Sequence, residues 1–381
     1  RGGFVSLILS VEDMRKKAKA RVPRMFFDYA ESGSWTEDTL RANINDLMDI
    51  KFRQRVAVDI SKRSTEMEML GEKLPIPVAL APTGLAGMQT ADGEIHAARA
   101  AEKFGVPFTL STMSVCSIEE VQSKTRNPFW FQLYVMRDRD FIDRLIKRAK
   151  EANCSALMIT LDLQVMGQRH KDIKNGLSVP PKINLPNILN LITKPKWCLG
   201  MLGTKNRKFG NIVGHVKGVK DMSSLAEWTV NQFDPTLCWD DVLELRKKWS
   251  GKIVLKGIMD KEDAKAALNI GADAIIVSNH GGRQLDGASS SVSALPKILD
   301  IVQDKCEIWV DGGIRTGQDI LRLIALGAKG TLIGRAFLYG LGAEGEKGVT
   351  RILEILQKEL DLTMALCGAT DLSQVDKNIL L

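Results

Sequence analysis

A chain of 381 residues with 44% hydrophobic content has apolar mass for a large core, and its length fits two domains or one closed α/β barrel. Six cysteines stand singly with no CxxC pair, which suggests neither a disulfide framework nor a zinc site and fits a reducing compartment. The formal charge of +7 is local: six of the 53 basic residues (Lys182, Lys194, Lys196, Lys205, Arg207, Lys208) fall in Leu177–Val216 with no acid, leaving 47 basic against 46 acidic residues, which argues against a nucleic-acid surface and for one local anionic partner.

The chain starts with Arg1, so its true start is not in view, and the apolar run Phe4–Leu9 is too short for a signal-peptide core or a membrane span. Ser10 with Asp13 three residues on predicts a capped helix over Ser10–Val22. Pro23–Tyr29 and a small polar turn at Glu31–Ser34 follow. Arg41–Ile60 has mixed periodicity and reads as a lid or cap within an N-terminal extension (1–75), the plainer alternative being packing against the bottom of a barrel.

From Ile76 the pattern turns regular. Apolar runs at Ile76–Ala81, Pro107–Thr112, Phe129–Val135, Ala156–Asp162, Lys252–Ile258, Ala274–Asn279, Glu307–Asp311 and Gly330–Ile333 predict eight strands. Between them Gly93–Phe104, Ile118–Lys124, Arg139–Ala152, Asp241–Trp249, Glu262–Asn269, Val292–Val302 and Gly317–Ala325 predict helices. A Gly-Ala pair joins helix to strand in NIGADAIIV and ALGAKGTLI, a weak repeat of an αβ unit. Eight such units in 1–381 predict a single α/β domain, a (β/α)8 TIM barrel; an open doubly wound sheet is the alternative. The gap between the fourth and fifth strands is a long insertion (177–216), basic and partly apolar, with Pro180, Pro181, Pro186 and Pro195. Its apolar part, Ile183–Thr193, is about half of a bilayer span, so it reads as an interfacial membrane-binding segment or as a solvated loop.

A barrel of this kind carries its site at the C-terminal ends of its strands. Every predicted strand here ends in polar residues or glycine: Pro82-Thr83-Gly84, Ser111-Thr112, Gln132 with Tyr134, Thr160 with Asp162, Lys256-Gly257, Ser278-Asn279-His280, Asp311-Gly312-Gly313-Ile314-Arg315 and Gly334-Arg335. The sixth end, in Ile275–Asp286 (IIVSNHGGRQLD), sets a histidine beside two glycines and Arg283, as an acid/base next to an anion clamp would be set. Asp162 is the rim carboxylate suited to orient His280 and stabilise its imidazolium. Arg283 and Arg169 suit a substrate carboxylate, and Tyr29 and Tyr134 suit the carboxylate or reacting hydroxyl. DGGIR and IGR, after the seventh and eighth strands, make an anion cradle for a phosphorylated cofactor or substrate. Gln132 and Thr160 suit a flat polar heterocycle. Lys256 reads as a cation that stabilises negative charge on a cofactor ring, in preference to a lysine merely paired with a carboxylate. Gly340–Gly345 matches GxGxxG, but no second βαβ half follows, so it reads as a helix approach rather than a dinucleotide site.

SNHGGRQLD, with FQLYV, ITLD, LKGI, DGGIR and GRAFLYGLGAEGEKGV, resembles the FMN-dependent L-2-hydroxy acid oxidases and dehydrogenases (glycolate oxidase, flavin L-lactate dehydrogenase, mandelate dehydrogenase), from Pro23 to about Asn378. The resemblance implies FMN as cofactor and His280 as the base that takes the substrate proton, supported by Asp162. It implies Arg283, Arg169 and Tyr29 on the substrate carboxylate and Tyr134 on its hydroxyl. Pro82, Thr83, Gly84, Ser111, Gln132, Thr160, Lys256 and Ser278 would hold the isoalloxazine and ribityl parts, and Asp311, Gly313, Arg315, Gly334 and Arg335 the ribityl and phosphate. Gly84 stands where plant glycolate oxidase has Ala, Met113 where it has a bulky Trp, and APTGLAGM and LSTMSVC are most similar to the bacterial L-lactate dehydrogenases of the family. The basic insertion resembles the membrane-binding segment of the dehydrogenases. The resemblance thus implies a peripheral, homotetrameric L-lactate dehydrogenase on the cytoplasmic face of the plasma membrane passing electrons to a quinone, with a soluble, peroxide-forming oxidase in the cytoplasm as the alternative. A non-catalytic flavin-holding barrel would be free to lose His280, Asp162, Arg283 and Arg169, and a flavin-free sugar-phosphate barrel would be colourless.

Overall fold

In the computed structural model, which describes residues 7–177, 185–216, 219, 228 and 231–381, three helices precede the barrel: α1 (Val11–Arg21), α2 (Arg24–Glu31) and α3 (Asp38–Asp49). Ser10 caps α1 in a reciprocal box with Asp13, which satisfies two otherwise orphaned amide groups at the helix start. A short antiparallel hairpin, β1 (Met67–Met69) and β2 (Glu72–Leu74), leads into the first barrel strand.

The repeating unit then runs β3 (Val78–Leu80), α4 (Gly93–Phe104), β4 (Thr109–Ser111), α5 (Ile118–Gln122), β5 (Trp130–Tyr134), α6 (Arg139–Glu151) and β6 (Ala156–Thr160). After β6 come α7 (His170–Lys174) and then α8 (Leu185–Ile192) and α9 (Pro195–Gly203), which lie in the insertion. The unit resumes with α10 (Trp239–Lys248), β7 (Lys252–Ile258), α11 (Lys261–Ile270), β8 (Ala274–Val277), α12 (Ser291–Val302), β9 (Glu307–Asp311), α13 (Gly317–Ala325) and β10 (Gly330–Ile333), and α14 (Arg335–Glu344) and α15 (Glu346–Leu366) follow. All eight predicted strands are present. The open doubly wound alternative is not: β3 pairs with β10 in parallel, and the sheet runs round from β10 through β9, β8, β7, β6 and β5 to β4. Closure between β3 and β4 rests on one bridge, Leu80 to Phe108. The fold is a TIM barrel.

Side chains alternate across the barrel wall as a period of two requires. Leu157 and Ile159 face the helices, while Ala156 and Met158 join Ala79, Val254, Ile276 and Leu332 inside. Trp130 and Trp309 stack within the lumen, centroids 5.2 Å apart. Met69 of the hairpin closes the lower end: a Cβ on Gly330, at the start of β10, would lie 2.4 Å from its methyl group. The bottom of the barrel is therefore covered by β1 and β2, not by Arg41–Ile60. Within that stretch α3 flanks the upper rim instead, where Asn43 and Asn279 exchange two side-chain hydrogen bonds of 2.8 Å.

The GxGxxG match lies in and just beyond α14. Any Cβ on Gly340 would fall 2.6 Å from the carbonyl oxygen of Gly348 in α15, so the glycines serve a close helix-helix approach. In the insertion, Lys182, Pro180 and Pro181 lie outside the described residues. The returning segment is bolted to the barrel by Asn211, fully buried, which accepts from the amide of Ile118 and donates to Ser114 Oγ.

Candidate active site

The strand ends meet at the upper rim. His280 follows β8 with a backbone φ of +58°, in the left-handed region that few non-glycine residues adopt. That turn swings its imidazole toward the end of β6, where Nδ1 lies 2.9 Å from Asp162 Oδ1. Burial pushes the Asp162 carboxyl up, but His280 and the Lys256 ammonium outweigh it and hold it net below its ordinary value. An ionised carboxylate only accepts, so Nδ1 carries the proton and Nε2 is left as the free basic nitrogen. Gln284 fixes the loop that carries Asp162 by donating to the carbonyl oxygens of Asp162 and Val165 at 2.7 Å each.

Three guanidiniums converge beside this pair. Arg283 Nη1 donates to the carbonyl oxygens of Tyr29 (2.6 Å) and Ser32 (2.8 Å), and its plane lies 4.8 Å over the Tyr29 ring. Arg169, the N-cap of α7, lies 5.7 Å from the same ring and 3.4 Å from Asp172. Arg335 Nη2 donates to the Ser32 carbonyl at 3.0 Å, while its Nε is buried without a partner. Burial, with Arg283 and Arg315 near it, pushes Arg335 down to about 9, and burial with Arg169 pushes Arg283 down as well. Among the described residues Arg283, Arg315 and Arg335 make no ion pair, so a bound anion would relieve the repulsion. Gly281 makes room for this: a Cβ there would lie 2.6 Å from Arg335 Nη1, and its φ is +63°.

Lys256 corrects one expectation. Its ammonium is buried and paired, 2.9 Å from Asp311 Oδ2 and donating to Ser278 Oγ at 2.7 Å. Burial pulls the ammonium down, yet Asp311 and Asp162 leave it net raised, so it stays charged. It is thus both a paired lysine and a rim cation, because β7 and β9 face one another across β8.

Several buried polar atoms at this rim lack any protein partner: Gln132 Nε2, Thr160 Oγ1, Asp162 Oδ2, Asp311 Oδ1 and Arg335 Nε. Ser111 Oγ donates to Gln132 Oε1, which leaves the Gln132 amide donor outward. Unsatisfied buried groups cost free energy, so their clustering points to a ligand with matching donors and acceptors. An isoalloxazine edge offers both, ribityl hydroxyls can serve Asp311, and a phosphate suits Arg335 and Arg315; the residues fit FMN. Gly334 lies beside Ala81 and Thr83, which joins the Pro82–Gly84 end to the phosphate end. Gly313 packs on the Asn43 backbone, and Arg315 Nη1 donates to the Ile314 carbonyl.

Above the rim Met113, Tyr134, Thr160, Leu163, Phe233 and Leu237 line a small cleft. Burial and the nearby Asp162 raise the Tyr134 phenol, which keeps it a neutral donor. A Cβ at Gly84 would lie 3.2 Å from the Tyr29 hydroxyl and 3.3 Å from Met113 Cβ. His96 and His215 lie away from this cluster: His96 is 3.8 Å from Glu346 at α15, and burial lowers His215.

The chain matches the FMN-dependent dehydrogenase family over residues 18–381. It belongs to that family. Among its relatives are the L-lactate dehydrogenases of Caulobacter vibrioides (45% identical over 379 residues, 98% of each chain) and Vibrio cholerae serotype O1 (45% over 376 residues, 98% of this chain and 99% of the other). Among solved structures it is similar to a monotopic membrane protein, (S)-mandelate dehydrogenase (TM-score 0.93, 34% identity, 98% and 99% covered), and to mandelate oxidase (TM-score 0.82, 34% identity, 96% of each). As an FMN-dependent dehydrogenase the protein is an oxidoreductase that oxidises an L-2-hydroxy acid with FMN as cofactor.

The strand-end residues were all expected at this site, but four neighbours were not: Ser32, Asp172, Asn175 and Asp28. Ser32 is fully buried; its carbonyl receives Arg283 and Arg335, and its hydroxyl donates to Asp172 at 2.9 Å. The polar turn at Glu31–Ser34 was the available signal for Ser32. Asp172 sits in HKDIK, whose alternating charges look like a solvated face.

Proposed function

We propose that this dehydrogenase oxidises L-lactate to pyruvate on a membrane surface and passes the electrons to a membrane quinone. FMN, when bound, supplies the acceptor for the two electrons taken from the substrate. In this reading His280 Nε2 takes the substrate proton, and the ionised Asp162 stabilises the imidazolium that results. Arg283, Arg169 and Tyr29 hold the carboxylate, and Tyr134 donates to the hydroxyl, which sets the α-carbon in one orientation. Gln132, Thr160, Ser111, Lys256, Ser278 and Pro82–Gly84 hold the ring and ribityl chain, with Lys256 supplying positive charge; Asp311, Gly313, Gly334, Arg315 and Arg335 hold the ribityl and phosphate.

The observation that carries the chemistry is the Asp162–His280 pair with a free Nε2 beside unpaired guanidiniums. The small Met113-lined cleft and the lactate dehydrogenases at 45% identity support lactate. The membrane reading rests on α8 and α9. No helix among the described residues is long and apolar enough to cross a membrane, but Leu185 (68%), Ile192 (70%), Leu199 (68%) and Leu202 (71%) are exposed on these helices, with Lys194, Lys196 and Lys205 nearby in the chain. Exposed apolar side chains in a lysine-rich segment suit the interface of an anionic bilayer. Anaerobic visible spectra before and after L-lactate, L-mandelate and glycolate test the substrate: bleaching fastest with lactate is expected, and no bleaching by any would refute it. Slow reoxidation by air and fast reoxidation by quinone are expected; the reverse would favour an oxidase. Leu189→Glu with Ile192→Glu should lower binding to anionic vesicles more than about tenfold while flavin bleaching keeps its rate.

A further inference from the structure

The insertion helix that carries the exposed leucines also reaches the substrate end of the site. Asn187, on α8, is 3% exposed, and its Nδ2 donates to the backbone carbonyl of Asn175 at 2.8 Å. Asn175, 5% exposed, caps the C-terminal end of α7, and its Nδ2 donates to Asp28 Oδ2 at 2.7 Å. Asp28 immediately precedes Tyr29 on α2, and Arg169 is the N-cap of α7. Two amide side chains thus join three elements: the outward helix, the short helix behind Arg169, and the helix bearing Tyr29. Buried amides are costly unless paired, and these are paired across elements rather than within them. Two further contacts clamp the same parts. The amide of Arg24 donates to Asn190 Oδ1 at 2.7 Å, and Phe26 stacks on Trp197, centroids 5.4 Å apart.

We infer that Asn187 and Asn175 are positioning residues that hold Tyr29 against Arg169 and Arg283, so that the insertion takes part in substrate recognition besides presenting its apolar face. This rests on the carboxylate roles given above to Tyr29, Arg169 and Arg283. The brace runs from Asn187 through Asn175 to Asp28, beside Tyr29, and His280 is held separately by Asp162, so loosening the brace should weaken carboxylate binding and leave the proton transfer alone.

The test is Asn187→Ala in the flavin-loaded protein. The limiting rate of flavin bleaching by L-lactate should stay within about twofold of the starting protein, while the half-saturating concentration rises about five- to tenfold. Binding of oxalate, a carboxylate that is not oxidised, read from the visible spectrum, should weaken by the same factor. In a Tyr29→Phe background Asn187→Ala should add less than about twofold, since the brace acts through Tyr29. If Asn187→Ala loses its flavin, Asn175→Ser carries the same measurements at the middle link. An unchanged oxalate affinity, a fall in limiting rate at constant half-saturation, or equal effects with Tyr29 and with Phe at that position would each overturn the inference. If the starting protein is bleached by none of the three hydroxy acids, the substrate reading fails, while oxalate binding still reports on the brace.

Discussion

At the lower end of the barrel Glu307 accepts from the Trp309 indole and the Leu70 amide, and Met69 presses on Gly330. At the upper end Gln132 Nε2, Thr160 Oγ1, Asp162 Oδ2, Asp311 Oδ1 and Arg335 Nε lie buried without a protein partner. Below, Thr109 Oγ1 is the exception among the described residues. The same eight strands build both ends, so the contrast comes from what each end must do. The lower end completes its own hydrogen bonds and packs; the upper end leaves them for a ligand to complete. Changes above should alter binding and rate, and changes below should alter stability alone.

The sharpest test is His280→Gln, which should slow flavin bleaching by about 10³-fold while the protein keeps its FMN. Retained bleaching at the original rate would remove His280 as the base. The opposite pole is Trp309→Ala. It empties the lumen beneath the site and should cost about 3–5 kcal/mol in urea unfolding, with half-saturation by lactate unchanged in the folded protein. Lys256→Met tests whether the two ends can be separated at all. It leaves Asp311 buried and unpaired, so a loss of about 3 kcal/mol and a lower flavin content should come together. Stability loss with full flavin content would move Lys256 to the packing side of the contrast.

The smallest effect concerns acid. Asp162 is held below its ordinary value in the folded protein, so the unfolded chain binds the proton first as pH falls. Its contribution to stability is complete above about pH 4 and is lost as pH falls through the folded value. Asp162→Asn should therefore flatten the acid limb of stability below about pH 4, measured by urea unfolding across that range.

The barrel strands were legible because each is a short apolar run bounded by a helix with its own period, often joined through Gly-Ala. Gly271 indeed takes the left-handed C-cap of α11. The rim residues were legible because strand ends carry the chemistry in this architecture. The lower plug was not, since β1 (MEM) and β2 (EKL) interrupt their few apolar residues with charges and so give no apolar run of the kind that marks the barrel strands. The Lys256–Asp311 pair was not, since reading strand ends one at a time does not show that β7 and β9 flank β8 and bring their ends together. The Asn187–Asn175–Asp28 brace was hidden for a related reason: amides carry no charge pattern, and their partners lie 12 and 147 residues away.

The single bridge between β3 and β4 also bears on the order in which the molecule assembles. β3 leads into Pro82–Gly84, yet it is tied by a three-residue ladder to β10 on one side and by Leu80–Phe108 on the other. Its partner in β10 lies about 250 residues away in the chain, so loop-closure entropy predicts that this pairing forms late. The phosphate end, on β9 and β10, can form before that last stave is seated. A cofactor anchored there first would have the seam open beside it, and its ring would be enclosed as β3 docks. Amide exchange along Val78–Leu80 should accordingly be the fastest of the barrel strands and should slow most when FMN is bound.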